Sequence, residues 1–555
     1  MLSDQLKRFP DTVFVESSGE KIPLRVRMPE RTEGIWSVDG VQASVTINSG
    51  VLRVALTAPQ TAVRRLTLRW RTTIASGMRF LGDAWERGYG DLEWRGMVAE
   101  RAMPWYFLAV GGGVTYGCGV KTGGSSLAYW NVDPEGVTLT LDVRCGGEGV
   151  LLGDRTLLAA EVVFYEKKYE KKNEKKEEDK TGLTSMLAAR EFCTRLCDAP
   201  RLPDHAVYGS NDWYYSYGNS TQASILEDAR LTTDLAENAE NRPYVTIDAG
   251  WQLHESCWGG DWTIGNAKFP DLPGLASSLV EMGTRPGIWM RPLHVRADDS
   301  VHWHLPPKHI GLDAPVLDPS IPEVLERVAA DFRRLHEWGY KLIKHDFSTY
   351  DIFGLWGFEM GTRITRDGWA FHDRSRTSAE IIHDFYQKMR DAAGDSLLIG
   401  CNTIGHLGAG LFELQRTGDD TSGREWERTR KMGVNTLAFR MPQHNTFYAC
   451  DADCVGLTDQ IPWALNRQWL DLLARSGTPL FVSAAPDAMG AEQRRALRDA
   501  FTIAAASPVG TIIGEPVGIP MDWLETTCPS QWRVHGETVA CNWISEDAPV
   551  AGIAI

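Results

Sequence analysis

The chain has 555 residues, a net charge of −15 at pH 7 and a hydrophobic content of 43%. This length allows two or three domains, and the acidic balance argues against nucleic acid as the main partner. No apolar run is long enough to span a bilayer, and the N-terminal residues lack the apolar core of a signal peptide. We therefore expect no membrane partner and a cytoplasmic protein.

The ten cysteines are not densely spaced and form no CxxC pair. Cys193 and Cys197, like Cys450 and Cys454, are spaced as i and i+4, but they lack the histidine or second cysteine pair of a zinc site. This usage is typical of free thiols in a reducing compartment. We predict neither a metal site nor a cofactor.

Residues 1–165 contain short runs rich in Val, Leu and Thr, such as 43–47, 51–56, 65–70 and 136–143. Their period-two alternation, broken by Gly and Asp, predicts an N-terminal antiparallel β-sandwich. The following stretch, 166–180, is almost entirely Glu and Lys with nearly balanced charge, which favours a solvated segment over a partner-binding tail. With a helix around 185–197 and the prolines Pro200 and Pro203, it makes 166–204 a charged linker and helix.

Strands and helices alternate between residues 205 and 507, which predicts a catalytic (β/α)8 TIM barrel. The eight strand candidates are 206–211, 244–248, 285–290, 341–346, 397–401, 411–416, 446–450 and 479–483. The main helical patterns are 223–239, 272–282, 321–338, 378–393, 424–437, 460–476 and 491–505. A doubly wound sheet is the alternative, but it would need a nucleotide-binding glycine loop that the sequence lacks. Residues 508–555 have strand-like pieces and predict a small C-terminal β domain, so the fold class is multidomain α/β plus β.

Polar and aromatic side chains follow most of the predicted barrel strands, at the ends where barrel enzymes collect their functional groups. In chain order they are Asn211, Asp212 and Trp213; Asp248 and Trp251; Trp289 and Arg291; Lys344 and Asp346; Cys401 and Asn402; Arg416, Asp419 and Asp420; Asp451 and Asp453. Asp346 ends one strand and Asp419–Asp420 follows another. Two strand-end carboxylates are what a retaining glycosidase needs, one as nucleophile and one as acid/base.

Tryptophan is unusually frequent, and Trp213, Trp251, Trp258, Trp262 and Trp289 fall in one third of the chain. Aromatic residues carry large buried areas, so core packing explains such a cluster. A wall that stacks on the apolar face of a pyranose explains it equally well. Both interpretations stay open at this point.

The ordered set of motifs resembles the clan of retaining α-galactosidases, glycoside hydrolase families 27 and 36. The matching pieces are 248–251 (DAGW), 260–262 (GDW) with 268–270 (KFP), 287–292 (GIWMRP), 344–346 (KHD), 401–402 (CN), 416–420 (RTGDD) and 450–453 (CDAD) before 456–458 (GLT). They cover the predicted barrel in family order, and the N-terminal sandwich is similar to that of family 36.

The resemblance implies roles for individual residues of this chain. Asp346 falls at the position of the nucleophile, and Asp420, four residues after Arg416, at the position of the acid/base, with the adjacent Asp419 as the alternative. The positions that line the sugar subsite in relatives correspond here to Trp213, Asp248, Trp251, Trp289, Lys344, Cys401, Arg416 and Asp419. Simple electrostatics agrees: Lys344 would keep Asp346 ionised, and the acid should lie where its carboxyl holds a proton near neutral pH.

The chain departs from the family at Ala249. Many relatives have two consecutive acids where this chain has Asp248–Ala249, and the pair grips the hydroxyls on C4 and C6 of galactose. A methyl side chain cannot accept a hydrogen bond. The departure therefore questions plain galactose as the sugar.

We predict a retaining exo-glycosidase that hydrolyses a terminal α-galactoside or galactose-like sugar by double displacement through a glycosyl-Asp346 intermediate. Two alternatives keep the scaffold and change the sugar: a β-L-arabinopyranosidase and an α-N-acetylgalactosaminidase. A third is a non-catalytic carbohydrate-binding barrel, which the two acids and Lys344 disfavour. The partner is then an oligosaccharide or glycoside, and a homo-oligomer is compatible with the sequence.

Overall fold

The computed structural model describes residues 5–17, 21–30, 33–169, 178–253, 259–306, 315–510 and 516–544. Its N-terminal part consists of two antiparallel sheets. The strands are β1 (Thr12–Glu16), β2 (Lys21–Pro23), β3 (Arg25–Glu30), β4 (Glu33–Val38), β5 (Val41–Asn48), β6 (Val51–Ala58), β7 (Arg65–Arg71), β8 (Arg79–Gly82), β9 (Met103–Pro104), β10 (Tyr106–Gly111), β11 (Val114–Val120), β12 (Leu127–Asp133), β13 (Gly136–Asp142) and β14 (Gly153–Lys168). The sheet orders are β2-β1-β7-β13-β12-β9 and β3-β4-β5-β6-β14-β11-β10-β8.

The two N-terminal sheets pack against each other through aromatic side chains. Trp70 on β7 meets Phe164 on β14 edge to face at 5.8 Å between ring centroids. Trp130 on β12 contacts Phe107 on β10 at 5.7 Å. Buried and exposed residues alternate along β6, as the sequence pattern requires for a half-buried strand. The predicted β-sandwich is confirmed.

The central part of the chain forms a parallel sheet of nine strands in the order β23-β22-β21-β20-β19-β16-β15-β25-β24. In chain order these and an intervening hairpin are β15 (Tyr208–Asn211), β16 (Tyr244–Ile247), the hairpin β17 (Gln252–Leu253) and β18 (Asp261–Gly265), β19 (Arg285–Met290), β20 (Leu342–His345), β21 (Leu397–Gly400), β22 (Leu414–Arg416), β23 (Ala449–Asp451), β24 (Cys454–Leu457) and β25 (Leu480–Ala484). The sheet curls into a TIM-like barrel, which confirms the predicted fold class.

The seventh strand of the barrel consists of two pieces, β23 and β24. β23, which overlaps the predicted strand 446–450, pairs with β22, and β24 pairs with β25 on the other side. Only Ala452 and Asp453 lie between the halves, and Asp453 has a left-handed backbone with φ 68°. The prediction of one strand at 446–450 missed β24, because a residue at positive φ ends the extended run without any glycine or proline in the sequence.

Helices connect the barrel strands as predicted. They are α1 (Glu178–Cys193), α2 (Trp213–Ser216), α3 (Gln222–Leu235), α4 (Leu272–Glu281), α5 (Pro322–Glu337), α6 (Ser348–Phe353), α7 (Gly357–Met360), α8 (Ser378–Ala392), α9 (Gly405–Gly408), α10 (Trp426–Thr429), α11 (Thr436–Arg440), α12 (Trp463–Ser476) and α13 (Ala491–Ala505), with 3₁₀ turns at Val301–Trp303, Met441–Gln443 and Pro486–Ala488 and a π-helical turn at Arg430–Asn435. In α5, Pro322 fits the first turn, and Val324, Val328, Phe332 and Leu335 form the buried stripe.

A small antiparallel sheet follows the barrel, with β26 (Gly518–Pro520), β27 (Gln531–Val534) and β28 (Glu537–Ala540). It is anchored by tryptophans: Trp426 Nε1 donates to the carbonyl of Trp543, and Trp523 packs edge to face on Trp94 at 5.1 Å. Most of the Glu- and Lys-rich stretch lies outside the described residues, and the four predicted domain boundaries stay predictions. Within the described ranges, no helix is long and apolar enough to cross a membrane, and no group of three or more metal-binding side chains occurs.

Candidate active site

Asp346 lies directly after β20 and is partly accessible. Phe347, the next residue, has a left-handed backbone with φ 63°, and this sharp turn starts α6. The Asp346 carboxylate accepts hydrogen bonds from Trp289 Nε1 at 3.3 Å and from the backbone N–H of Phe347 at 2.8 Å. The turn therefore fixes the carboxylate at the barrel mouth, and one oxygen is held by the indole of the neighbouring strand.

The second pair of acids lies in the loop after β22. Asp419 is enclosed by two guanidinium groups, those of Arg87 at 2.9 Å and Arg428 at 2.7 Å. Asp420 accepts a hydrogen bond from Arg416 at 3.3 Å, and its side chain is 35% exposed against 16% for Asp419. The accessible member of the pair is thus Asp420, whereas Asp419 is occupied by its two arginines.

The electrostatic setting of Asp420 differs from the expectation that this group holds a proton. Burial raises its pKa, but the nearby cations Arg416, Arg87, Lys344 and Arg428 outweigh that effect and lower the pKa to about 2. The carboxyl is therefore ionised at neutral pH in the free protein. The expectation was wrong because the fold brings Arg87 and Lys344, which are distant in sequence, around this acid in addition to Arg416 and Arg428.

Lys344 pairs with Asp248 rather than standing beside Asp346 as its counter-ion. The ammonium donates to Asp248 Oδ2 at 2.7 Å, and the same oxygen accepts from Asn211 Nδ2 at 2.8 Å. Burial lowers the pKa of Lys344, but Asp248 raises it well above its usual value. The other Asp248 oxygen accepts a hydrogen bond from the backbone N–H of Ala249 at 2.8 Å, so both carboxylate oxygens of Asp248 have partners within the protein.

A small cavity of about 10 Å³ inside the barrel lies among several predicted site residues. Lys344, Arg416 and Asp453 line it, together with Asn211 and Asp451. Arg416 is almost fully buried and pairs with Asp453 at 2.7 Å. Burial raises the pKa of Asp451 to about 6 despite the neighbouring Arg416. Arg416 with Asp453 and Lys344 with Asp248 therefore form buried ion pairs inside the barrel.

The tryptophans of this region are mostly core residues. Trp213, Trp251, Trp262 and Trp289 are all at most 8% exposed, and Trp258 lies outside the described residues. Trp251 is fully buried and supports Trp289 from behind, donating through Nε1 to its carbonyl at 2.8 Å. Trp289 reaches Asp346, and Trp213 begins α2 with its ring 5.7 Å from that of Tyr217. Trp289 therefore borders the mouth through its contact with Asp346, Trp213 follows the C-terminal end of β15, and Trp251 has a supporting position.

Arg87, from the N-terminal part of the chain, enters the barrel mouth, and the sequence analysis missed it. Its guanidinium lies 3.6 Å from Asp420 and donates to Cys401 Sγ at 3.4 Å. Burial lowers its pKa, but Asp419 above all, and also Tyr89, Cys401 and Asp346, raise it well above the usual value. Arg87 therefore lies within electrostatic reach of both candidate catalytic carboxylates.

The loop that carries Arg87 is tied to the barrel by its backbone and by Glu86. Gly88 N donates to the carbonyl of Thr417, and Asp419 N donates back to the carbonyl of Gly88, both at 2.8 Å. The buried Glu86 carboxylate binds the side chain of Asn402 and the backbone N–H of Gly357. The sequence signal for this loop was the charged pair Glu86–Arg87, which lies between Trp85 and Tyr89 in a region otherwise patterned as strands.

Comparisons with known proteins give a short sequence match and extensive structural matches. No protein-family profile matches the chain. The α-galactosidase AgaA from Geobacillus stearothermophilus is 28% identical over 131 residues, which are 21% of this chain and only 17% of that protein.

Three solved structures illustrate the structural likeness. TtGalA, an α-galactosidase from Thermus thermophilus in complex with p-nitrophenyl α-D-galactopyranoside, superposes with a TM-score of 0.58 at 17% identity, over 96% of this chain and 99% of that one. The family 36 α-galactosidase AgaA gives 0.59 at 16% identity, over 90% and 75%. A family 31 sulfoquinovosidase from E. rectale gives 0.58 at 11% identity, over 97% and 87%. The chain therefore has the multidomain fold found in the family 36 α-galactosidases, as the motifs predicted.

Proposed function

We propose that the chain is a retaining glycoside hydrolase that removes a terminal α-galactosyl or galactose-like residue. The observation that supports it best is the pair of accessible carboxylates, Asp346 and Asp420, at the ends of β20 and β22 with Arg87 reaching both. TtGalA has been solved with p-nitrophenyl α-D-galactopyranoside and with stachyose, which favours an α-galactoside as substrate.

In the first step, Asp346 attacks the anomeric carbon, and the bond to the leaving oxygen breaks as that oxygen takes a proton from Asp420. A glycosyl-Asp346 ester results. The hydrogen bonds from Trp289 and the Phe347 N–H hold the attacking carboxylate in place. In the second step, water attacks the same carbon, Asp420 takes its proton, and Asp346 leaves as the carboxylate.

The low pKa of Asp420 makes the two steps unequal. The ionised form is ready to accept a proton from water in the second step. In the first step the same carboxyl must carry a proton, which the surrounding cations oppose. We therefore expect substrates whose leaving group needs little protonation to react fastest at neutral pH.

At the position where relatives bind the C6 hydroxyl, Ala249 is buried at 3% exposure, and its methyl side chain offers no acceptor. The β-L-arabinopyranoside alternative lacks C6 and suits this position. The α-N-acetylgalactosaminide alternative and the non-catalytic barrel are not favoured by a specific contact. A cytoplasmic location and a homo-oligomer stay predictions.

The roles are tested with nitrophenyl glycosides. Asp346→Ala should abolish turnover, and added azide should partly restore product release with inverted configuration at the anomeric carbon. Glu413→Gln, at a buried acid just before β22 that pairs with Arg390, is the matched control for loss of a negative charge in the barrel. Full activity of Asp346→Ala would refute the proposal, and failure of the wild-type protein to hydrolyse a broad nitrophenyl panel would favour the binding module.

A further inference from the structure

An aromatic surface borders the open side of the candidate site, and no step described so far uses it. It consists of Tyr89, Trp356 and Phe358, which we call the aromatic shelf. Phe358 is 61% exposed, and its ring lies 4.8 Å from that of Tyr89. Tyr89 and Trp356 are partly exposed. A contiguous exposed apolar surface rimmed by polar residues marks a place where a ligand or partner binds.

The position of Trp356 relates the shelf to both candidate catalytic carboxylates. Its ring lies 5.7 Å from that of Phe347, the residue that follows Asp346. The guanidinium of Arg87, which reaches Asp420, lies 5.6 Å from the Trp356 ring centroid. The Trp356 ring therefore lies next to a neighbour of each candidate catalytic carboxylate: Phe347 beside Asp346, and Arg87 beside Asp420. This position is close to the bond that the two carboxylates would break. Lys344 and Arg416 are buried whereas the shelf is accessible, so we place the sugar toward Lys344 and Arg416 and the leaving group toward the shelf.

The shelf is also built rigidly, from two distant parts of the chain. The buried Glu86 carboxylate accepts the Tyr89 hydroxyl and the backbone N–H of Gly357 at the start of α7. A Cβ at Gly357 would lie 2.4 Å from Glu86 Cγ, so glycine is what allows this close contact. Tyr89 and Phe358 are thereby fixed against each other, and little ordering entropy would be lost when a ligand binds.

We infer that the aromatic shelf is the subsite for the leaving group, and that it takes an aglycone with a flat apolar face, either an aryl group or a second pyranose ring. This assignment rests on the proposed function. Ring stacking on Phe358 and Trp356 supplies the binding energy, and the cation of Arg87 polarises the edge of the shelf next to the breaking bond. Aglycones that are small or lack such a face gain nothing from the shelf.

The test compares substrates that share the sugar and differ in the leaving group: the α-galactosyl fluoride, 4-nitrophenyl α-galactoside and an α-galactosyl disaccharide. Phe358→Ala should lower kcat/KM for the aryl or the disaccharide substrate relative to the fluoride by about 2- to 12-fold, the range of one aromatic pair. Phe358→Leu should lose less, and Val280→Ala, at an exposed apolar residue of α4, is the control. Trp356→Phe should act in the same direction.

The three substrates separate the outcomes. A fall for the aryl substrate alone assigns the shelf to aryl aglycones, and a fall for the disaccharide as well assigns it to both. Unchanged ratios, or an equal loss that includes the fluoride, would overturn the inference. A wild-type protein inactive on the fluoride and on the nitrophenyl substrate would overturn the proposed function itself, and the aglycone assignment with it.

Discussion

Replacing Arg87 should change the pH dependence of the reaction, because this residue holds a positive charge against the acid/base. We expect Arg87→Met to raise the pH up to which Asp420 can carry a proton. At 3.6 Å the Coulomb energy between the two charges is about 4 to 5 kcal/mol for an effective dielectric constant of about 20. Asp420 is 35% exposed, and measured exposed ion pairs are typically worth only about 0.2 to 1 kcal/mol.

The value for this pair should fall between these limits, at about 1 to 2 kcal/mol, which corresponds to roughly one pH unit. The alkaline limb of kcat/KM for a substrate with a poor leaving group, such as an alkyl galactoside, should therefore move upward by about one unit. The galactosyl fluoride needs no proton from Asp420, and its profile should not move. Because the pKa of Asp420 is about 2, kcat/KM for the alkyl galactoside already falls with pH above pH 4. A shift of one unit is therefore measured between pH 4 and pH 7 as a roughly tenfold gain in kcat/KM of Arg87→Met for the alkyl galactoside relative to the fluoride.

Two further variants show whether charge is responsible. Arg87→Lys keeps the positive charge and should leave the alkaline limb close to that of the wild-type protein. Arg428→Met removes a cation that binds Asp419 instead, and should shift the limb less. Equal shifts in Arg87→Met and Arg87→Lys, or a shift that also appears with the fluoride, would refute the electrostatic argument.

Three other predictions follow from the site and the core. Asp420→Ala should be least harmful for substrates with good leaving groups, measured as kcat/KM across a phenol series; the same pattern in Asp419→Ala, with Asp420→Ala active, would move the acid/base by one residue. Ala249→Asp should shift preference from β-L-arabinopyranoside toward α-galactoside by about 1–3 kcal/mol, and an unchanged ratio of kcat/KM values would mean that position 249 does not face the sugar. Burial lowers the pKa of His406 to about 4, below its unfolded value of about 6.5, so the unfolded chain binds the proton first and the free energy of unfolding falls as pH drops from 6.5 to 4. His406→Phe should lessen that fall by up to about 1.4 kcal/mol per pH unit in urea unfolding, and identical slopes would contradict it.

The order of the barrel strands was predictable because each has a short apolar run followed by a polar tip. The predicted strand at 285–290 agrees with β19 residue for residue, and the others differ at their ends by a few residues. The expectation that functional side chains follow the carboxyl ends of the strands also placed Lys344, Asp346 and Arg416 correctly at one end of one sheet. Such local patterns specify which residues a parallel sheet presents at its mouth.

The partners of these residues were not predictable in the same way. Lys344 was expected beside Asp346, yet it pairs with Asp248, which is 96 positions earlier in the chain. Arg87 comes from a region that contains no catalytic pattern of its own. Side-chain pairing across distant segments depends on tertiary packing, which neither periodicity nor spacing encodes.

The break between β23 and β24 leaves these two strands at the two ends of the sheet order, and the residue at the break contacts the loop that carries the acid/base. Asp453, the residue at the break, accepts the backbone N–H of Thr421 at 2.8 Å, directly after Asp420, and pairs with Arg416 at 2.7 Å. The Asp453 carboxylate thus belongs to the break between β23 and β24 and also holds the loop that carries Asp420. A displacement at this joint would therefore act directly on the loop of Asp420, whereas Asp346 follows β20, three strands away from β23 in the sheet.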